Sequence, residues 1–303
     1  MKKELKNILV PVDFHESSVK AVDFAHRLAS QVDGEIFLLH VIETPGLLAD
    51  LFASGELLVK ITDQSKEKLL SLSESIRKSG SGVKVITRVE RGKSYEKILK
   101  VAEEIEARFI ILGEDQRGNG LKKDLGSTVY HVTLKSPVPV LTLKGDVTEM
   151  GKRILVPLDL TRETRKQLCS AVAYGQNYGA SIVLVSAMIA GMDMEKSLIY
   201  QKLTQAKKVL EDNGVDCQMK LFEHSNVPPF NRVLDYADEI GADMILVMTH
   251  QEGYTHDNYI GAFAHHIINR STVPVISLTS SASGSSLNKL VKLLVDPVGW
   301  FKD

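Results

Sequence analysis

The 303-residue chain has very little cysteine: Cys169 and Cys217 are its only two. Two thiols with no second pair and no metal-ligand spacing exclude a disulfide framework, and reduced thiols in a cytoplasm fit them better. The chain also lacks any run approaching the ~18 apolar residues of a membrane span. Its opening, MKKELKNILVPVDF, has a basic start but only a five-residue apolar run, interrupted by Pro11 and too short for the core of a secretory signal. An excess of one charge is missing too. Lys and Arg number 37 against 38 Asp and Glu, a formal net charge of −1, which nominates no nucleic acid or acidic lipid as partner. A cytoplasmic protein without membrane or nucleic-acid contact is expected. Catalytic signatures are absent as well: there is no nucleophile elbow, no HExxH, no complete GxxxxGK[ST], and no base placed for phosphoryl attack.

What the chain does have is a repeat. KNILVPVDF at 6–14 returns as KRILVPLDL at 152–160, an offset of 146 at which GEIFLLHV (34–41) also meets ASIVLVSA (180–187). Further on the offset is 135: ARFIILG (107–113) matches ADMILVM (242–248), LGS (125–127) matches IGA (260–262), and SPVPVLTL (136–143) matches STVPVISL (271–278). The second copy has therefore lost 11 residues between its second and fourth strands, mostly from the stretch after Glu43. A duplication accounts for both offsets. It predicts domains at 1–146 and 152–280, the short linker KGDVTEMGK between them, and a Ser-rich spacer and tail over 281–303 that carries the only tryptophan.

Within the first copy, continuous apolar runs alternate with helical patterns. ILVPV is followed by a helix with Val19, Val22, Ala25 and Ala29 on one face, then EIFLLHV, a helix near 57–79, VKVITRV, a helix near 93–106, FIILG, a helix from about 126, and VPVLTL. Strands apolar on both faces and alternating with helices call for a parallel sheet covered on both sides. Each copy is thus an α/β domain with a five-stranded, Rossmann-like parallel sheet. If strand four returns beside strand one, a ligand crevice opens between Asp13 and Gly113.

The ordered set VPVD and VPLD, HVIE, GKSYEKILKVAEE (92–104), the strand-to-glycine step at Gly113, Gly126-Ser127 and PVPVLTL resembles the universal stress protein family, in a tandem form, up to about residue 280. ATP-binding members carry a loop of the form G, two residues, G, nine residues, then G and S or T. Here GEDQRGNGLKKDLGS puts Gly113 first, Gln116 second and Gly126-Ser127 last, with Gly118 and Gly120 nearby. The resemblance implies a nucleotide site that includes Pro11 and Val12, with Asp13 and Val41 against adenine, and Gly113, Gly126, Ser127 and Thr128 around the phosphates, with Lys122 and Lys123 assisting. A side chain forced into a left-handed conformation at 116 costs ~1–2 kcal/mol, whereas a micromolar ligand is held by about 8 kcal/mol. Strain alone would weaken binding without removing it.

A structural reading stands beside the functional one: Asp13 caps the first helix, Ser127 caps the last, and the lysines are solvated. In the second copy, MTHQEGYTHDNYIGA places Met248 and Gln251 where the leading glycines belong, and Ala262 where the hydroxyl belongs. Only Gly261 remains, so Asp159 reads as structural and this copy as a pairing and regulatory half. His250, His256, His265 and His266 gather near the degenerate loop without forming a ligand quartet, so no metal is expected. Family members dimerise through the last strand, which implies that the two copies pair this way within one chain, with a homodimer also possible. The resemblance leaves three readings: a stress-response regulator that binds ATP (with Mg²⁺) in the first domain, a dimerisation scaffold that binds no nucleotide, or a weak ATPase or nucleotidyl transferase.

Overall fold

The computed structural model describes residues 7–43, 55–114, 125–145, 147, 151–158, 164–187, 198–223, 225–249 and 260–279. The chain divides into two compact units, 1–148 and 149–303.

Unit one runs β1 (Asn7–Pro11), α1 (Glu16–Val32), β2 (Glu35–Ile42), α2 (Gly55–Lys78), β3 (Lys84–Arg91), α3 (Ser94–Glu104), β4 (Phe109–Gly113), α4 (Ser127–Lys135) and β5 (Val140–Leu143). All its strand pairs are parallel, in the order β3-β2-β1-β4-β5. Unit two repeats the plan as β6 (Arg153–Pro157), α5 (Thr164–Tyr178), β7 (Ser181–Ala187), α6 (Leu198–Asp212), β8 (Cys217–Phe222), α7 (Pro229–Glu239), β9 (Met244–Met248), α8 (Ala262–Arg270) and β10 (Val275–Leu278). Its order is β8-β7-β6-β9-β10.

The central strands are built as the apolar runs require. Ile8, Leu9, Val10, Ile110 and Ile111 are all at most 1% exposed, and each such side chain contributes ~1.5–3 kcal/mol by leaving water. The face of α1 that meets them is wider than the Val19, Val22, Ala25, Ala29 stripe read from the sequence. Ala21, Phe24 and Leu28 are buried with Val22, Ala25 and Ala29, while Val19 is half-buried. β3 departs from the all-apolar expectation: of its residues only Val85 is buried. Arg88 there pairs with Glu90 and Glu104, and Lys97 also reaches Glu90, which suits a strand at the end of the unit's order. Both cysteines are free and buried. Burial, helped by the Glu211 carboxylate and opposed by Lys207, pushes the Cys217 thiol up to about 12. Among the described residues no helix is long and apolar enough to cross a membrane.

Right-handed crossovers place α1 and α2 on one face of the unit-one sheet and α3 and α4 on the other. α1 accordingly packs on β1 and β4, and α3 packs on α4. The order reverses at β1. There β1 and β4 stay paired only at Ile8↔Phe109 and Leu9↔Ile110, whereas β1 follows β2 as far as Pro11↔Leu39. The β1–β4 pairing ends there, at the reversal of strand order where the sequence leads one to expect a ligand crevice.

Candidate functional site

One wall of the crevice is the turn after β1. Val12 is buried, and its N–H donates to Leu39 O at 2.8 Å. His40 Nδ1 donates to Val12 O at 2.7 Å, which fixes the tautomer with a proton on Nδ1. Phe14 follows with φ of 68°, a left-handed conformation that costs a bulky residue roughly 1–2 kcal/mol. Its ring lies 4.5 Å from the His40 ring, and Lys68 Nζ stands 5.1 Å from its centroid. Strained backbone held by a ring contact at a crevice mouth is a feature of ligand sites.

Asp13 is exposed and tied into this turn. Its Oδ1 accepts the His15 N–H at 2.9 Å, and its Oδ2 lies 3.1 Å from His15 Nδ1. Its own N–H donates to Ser18 Oγ at 3.3 Å, and that hydroxyl donates to His15 O at 2.9 Å. Partial burial pushes the Asp13 carboxyl up, but the hydrogen bonds from Ser18 and His15 and the charge of His15 together outweigh it and hold the group below its ordinary value. Asp13 does not cap α1: the N-cap is His15, which makes no side-chain cap bond. The Asp13 carboxylate instead accepts two residues along the chain, an Asx-type turn.

The structure brings Pro11, Val12, Asp13 and Gly113 to one end of the sheet, with Val41 half-buried on β2 beside them. It also gives Gly113 a reason the sequence does not disclose. A Cβ there would lie 2.0 Å from Ser17 O and 2.8 Å from Ser18 N. The first turn of α1 rests directly on the end of β4, so this glycine is required by packing whether or not a phosphate comes near.

Gly126 differs. Its φ is −54°, available to any residue, and a Cβ there would meet nothing within 4 Å. It is the N-cap of α4 and makes no side-chain cap bond, so Ser127 stands at the first helical position and does not cap the helix. Gly126 and Ser127 are exposed, Thr128 is half-buried, and no acid stands in the first turn. That helix end presents N–H groups and a positive dipole end, favourable to an anion. Gln116, Gly118, Gly120, Lys122 and Lys123 lie outside the described residues, as do Asp159, His250, Gln251, His256 and the 281–303 tail.

The second copy uses the same positions otherwise. Ser186 Oγ donates to Leu158 O at 2.9 Å, the bond His40 makes to Val12. Gly261 caps α8 with the same φ of −54° and ψ of 141° as Gly126. Its N–H, however, donates to Thr249 O at 2.9 Å, and among the described residues Gly126 makes no corresponding bond to Glu114. Met248 stands half-buried where the first copy has Gly113. No three of His, Cys, Asp and Glu gather to hold a metal among the described residues.

With this geometry in place, comparison with known proteins finds that the profile of the universal stress protein family matches twice, over residues 4–144 and 150–278. The chain belongs to the universal stress protein family. It is a tandem, two-domain member, with one family match in each half. Universal stress protein MJ0577 of Methanocaldococcus jannaschii is 30% identical over 155 residues, covering 46% of this chain and 94% of that protein. Universal stress protein YxiE of Bacillus subtilis is 30% identical over 146 residues, 45% of this chain and 97% of its own. Each relative therefore corresponds to about one of the two domains. A crystal structure of a universal stress protein from Archaeoglobus fulgidus covers 91% of this chain and 99% of its own, with a TM-score of 0.75 at 21% identity, a likeness of fold.

Proposed function

We propose that this universal stress protein is a regulator whose first domain binds an adenine nucleotide, ATP with Mg²⁺ on its phosphates, without dedicated catalysis. The observation that carries the reading is the start of α4 at Gly126-Ser127-Thr128, which has no side-chain cap among the described residues, with a glycine there that neither its backbone conformation nor any described neighbour requires. A glycine without a structural reason is what close approach of a ligand to backbone N–H groups calls for. Asp13, Val41 and the half-open end of β1 stand on the same rim, where a base would sit. The second domain, with Met248 at the strand end and its Gly261 N–H engaged by Thr249 O, supports a half that binds no nucleotide.

The scaffold reading draws on two observations: Gly113 is explained by the α1 contact alone, and the Asp13 carboxylate is already engaged by His15. Nucleotide analysis of the supernatant after denaturing the purified protein, paired with titration calorimetry using ATP, separates the two. The nucleotide reading expects one adenine nucleotide per chain and loss of binding in Ser127→Asp, which puts a carboxylate at the anion site. No released nucleotide and no heat with ATP would leave the scaffold.

A further inference from the structure

α2 presents one face to the sheet and leaves both of its flanks to be accounted for. Ser65, Leu69, Ser73 and Ile76 are buried, and the helix packs on β2 and β3. At about 100° per residue, Lys68 lies to one side of that buried face, where its Nζ stands 5.1 Å from the centroid of the Phe14 ring. Exposed Leu57 shares that side. The opposite flank, turned away from the turn after β1, carries Val59, Asp63, Lys66 and Leu70 within about 60° of one another. All four are open to solvent: Val59 is 60% and Leu70 49% exposed, and the side chains of Asp63 and Lys66 are 57% and 58% exposed.

Their spacing is that of a seam. The four stand at i, i+4, i+7 and i+11, the repeat along which two helices pack. Single exposed apolar residues need no explanation. These two, however, are placed symmetrically about an acid and a base, and the order apolar, acidic, basic, apolar complements itself when reversed. Turned end over end about a two-fold axis between residues 64 and 65, Val59 of one copy meets Leu70 of the other, Asp63 meets Lys66, and each meeting occurs twice. A parallel pair would set Asp63 against Asp63 and Lys66 against Lys66, so the charges select the antiparallel arrangement. Within one chain Lys66 Nζ lies 3.2 Å from Asp63 Oδ1. That pair is solvated, so redirecting it across an interface costs little.

The second copy lacks the seam. Its α6 is 15 residues long against 24 for α2, and apart from Leu198 at its first position its exposed residues are Gln201, Thr204, Lys208, Glu211 and Asp212. An apolar stripe on this helix is therefore no requirement of the fold.

We propose that α2 is a self-association surface, along which two copies of this chain pair antiparallel through Val59, Asp63, Lys66 and Leu70. The contact uses neither last strand and does not depend on nucleotide. A seam of 11 residues spans only about 17 Å of helix. Such a contact is small, so the dimer is transient, with a dissociation constant on the order of 100 µM.

Charge reversal tests it. Sedimentation equilibrium of the full chain, from on the order of 10 µM to 1 mM, brackets that constant. The weight-average mass of the parent should rise reversibly with concentration toward that of a dimer. Asp63→Lys sets lysine against Lys66 of the second copy, and Lys66→Asp sets aspartate against Asp63, so each variant alone should dissociate about tenfold more readily. Leu70→Gln, which removes the apolar end of the seam, should weaken association by about the same factor. An equimolar mixture of the two charge variants brings opposite charges together at all four central positions, and it should associate at least as tightly as the parent. Every substituted side chain is exposed, so the fold of the single chain is not at stake. Rescue in the mixture identifies this seam, because a dimer through any other surface has no reason to distinguish the mixture from its components. A parent that stays monomeric across the range, an association that neither reversal weakens, or a mixture no tighter than its components overturns the proposal.

Discussion

Ala21 in the first domain and Gln167 in the second hold the same position on α1 and α5, and they meet the parting of strands differently. Ala21 is fully buried and adds nothing polar. Gln167, 2% exposed, sends Nε2 to Pro157 O at 3.0 Å and Leu246 O at 3.4 Å, across the gap between β6 and β9. The second domain thus stitches its switch point with a side chain. The first brings backbone down instead: the opening turn of α1 sits on Gly113, and Ser18 holds the turn that carries Asp13. Closure by a side-chain amide in one copy and by helix backbone in the other shows that the fold tolerates either.

The largest effect that could break this contrast is Gly113→Met, which writes the second copy's residue into the first. A Cβ 2.0 Å from Ser17 O cannot be absorbed by side-chain rotation, because both partners are backbone. Forcing extra atoms into such a contact costs about 3 kcal/mol. Hydrogen exchange should show α1 and the 12–18 turn opening while unit two keeps its protection, which isolates the effect to one domain. Unchanged protection in α1 would mean its first turn is free to move, and Gly113 would then owe its place to a ligand.

How much of this was legible in the sequence follows from the range over which each feature acts. The parallel α/β class followed from apolar runs alternating with 3.6-residue periods, because strands and helices are written locally. The repeat registers of 146 and 135 placed the first, second, fourth and fifth strands of each copy, while the third, β3 and β8, falls in neither. Contacts across the fold were harder to read. Gly113 looked like a loop glycine because the carbonyl it accommodates belongs to Ser17, 96 positions earlier. Capping of α1 was the structural alternative read for Asp13, but Asp13 stands two residues before the N-cap His15 and engages the N–H of that residue.

A smaller effect sharpens the equivalence of His40 and Ser186. Each donates to the carbonyl at the equivalent position, Val12 O or Leu158 O, and His40 also sets a ring against the left-handed Phe14. His40→Ser should keep the bond, lose the stack, and cost about 1 kcal/mol. His40→Ala should cost about 1–3 kcal/mol more, because the Val12 carbonyl is then left without its partner. Urea denaturation of the two variants checks the order. Equal destabilisation would mean the carbonyl finds water, and that the two copies resemble each other here only in outline.

The smallest effect concerns the Asp13 carboxyl, whose counterpart Asp159 lies outside the described residues. Its folded-state value is lowered, because the Ser18 and His15 contacts outweigh the opposing effect of partial burial. A depressed carboxyl contributes stability above its unfolded-state value, near 4, and loses that contribution as pH falls toward the folded value. The chain and its Asp13→Asn variant should therefore differ by a constant amount from pH 7 down to about 5, and the gap should close below about pH 4. The side chains of His15 and Asp13 are 73% and 64% exposed, so solvent screens the pair and salt should narrow the gap further. Urea midpoints measured across that range, at low and high salt, check both trends. A gap that stays constant down to pH 2 would mean Asp13 holds the turn through its shape alone, leaving its carboxylate free to meet a base.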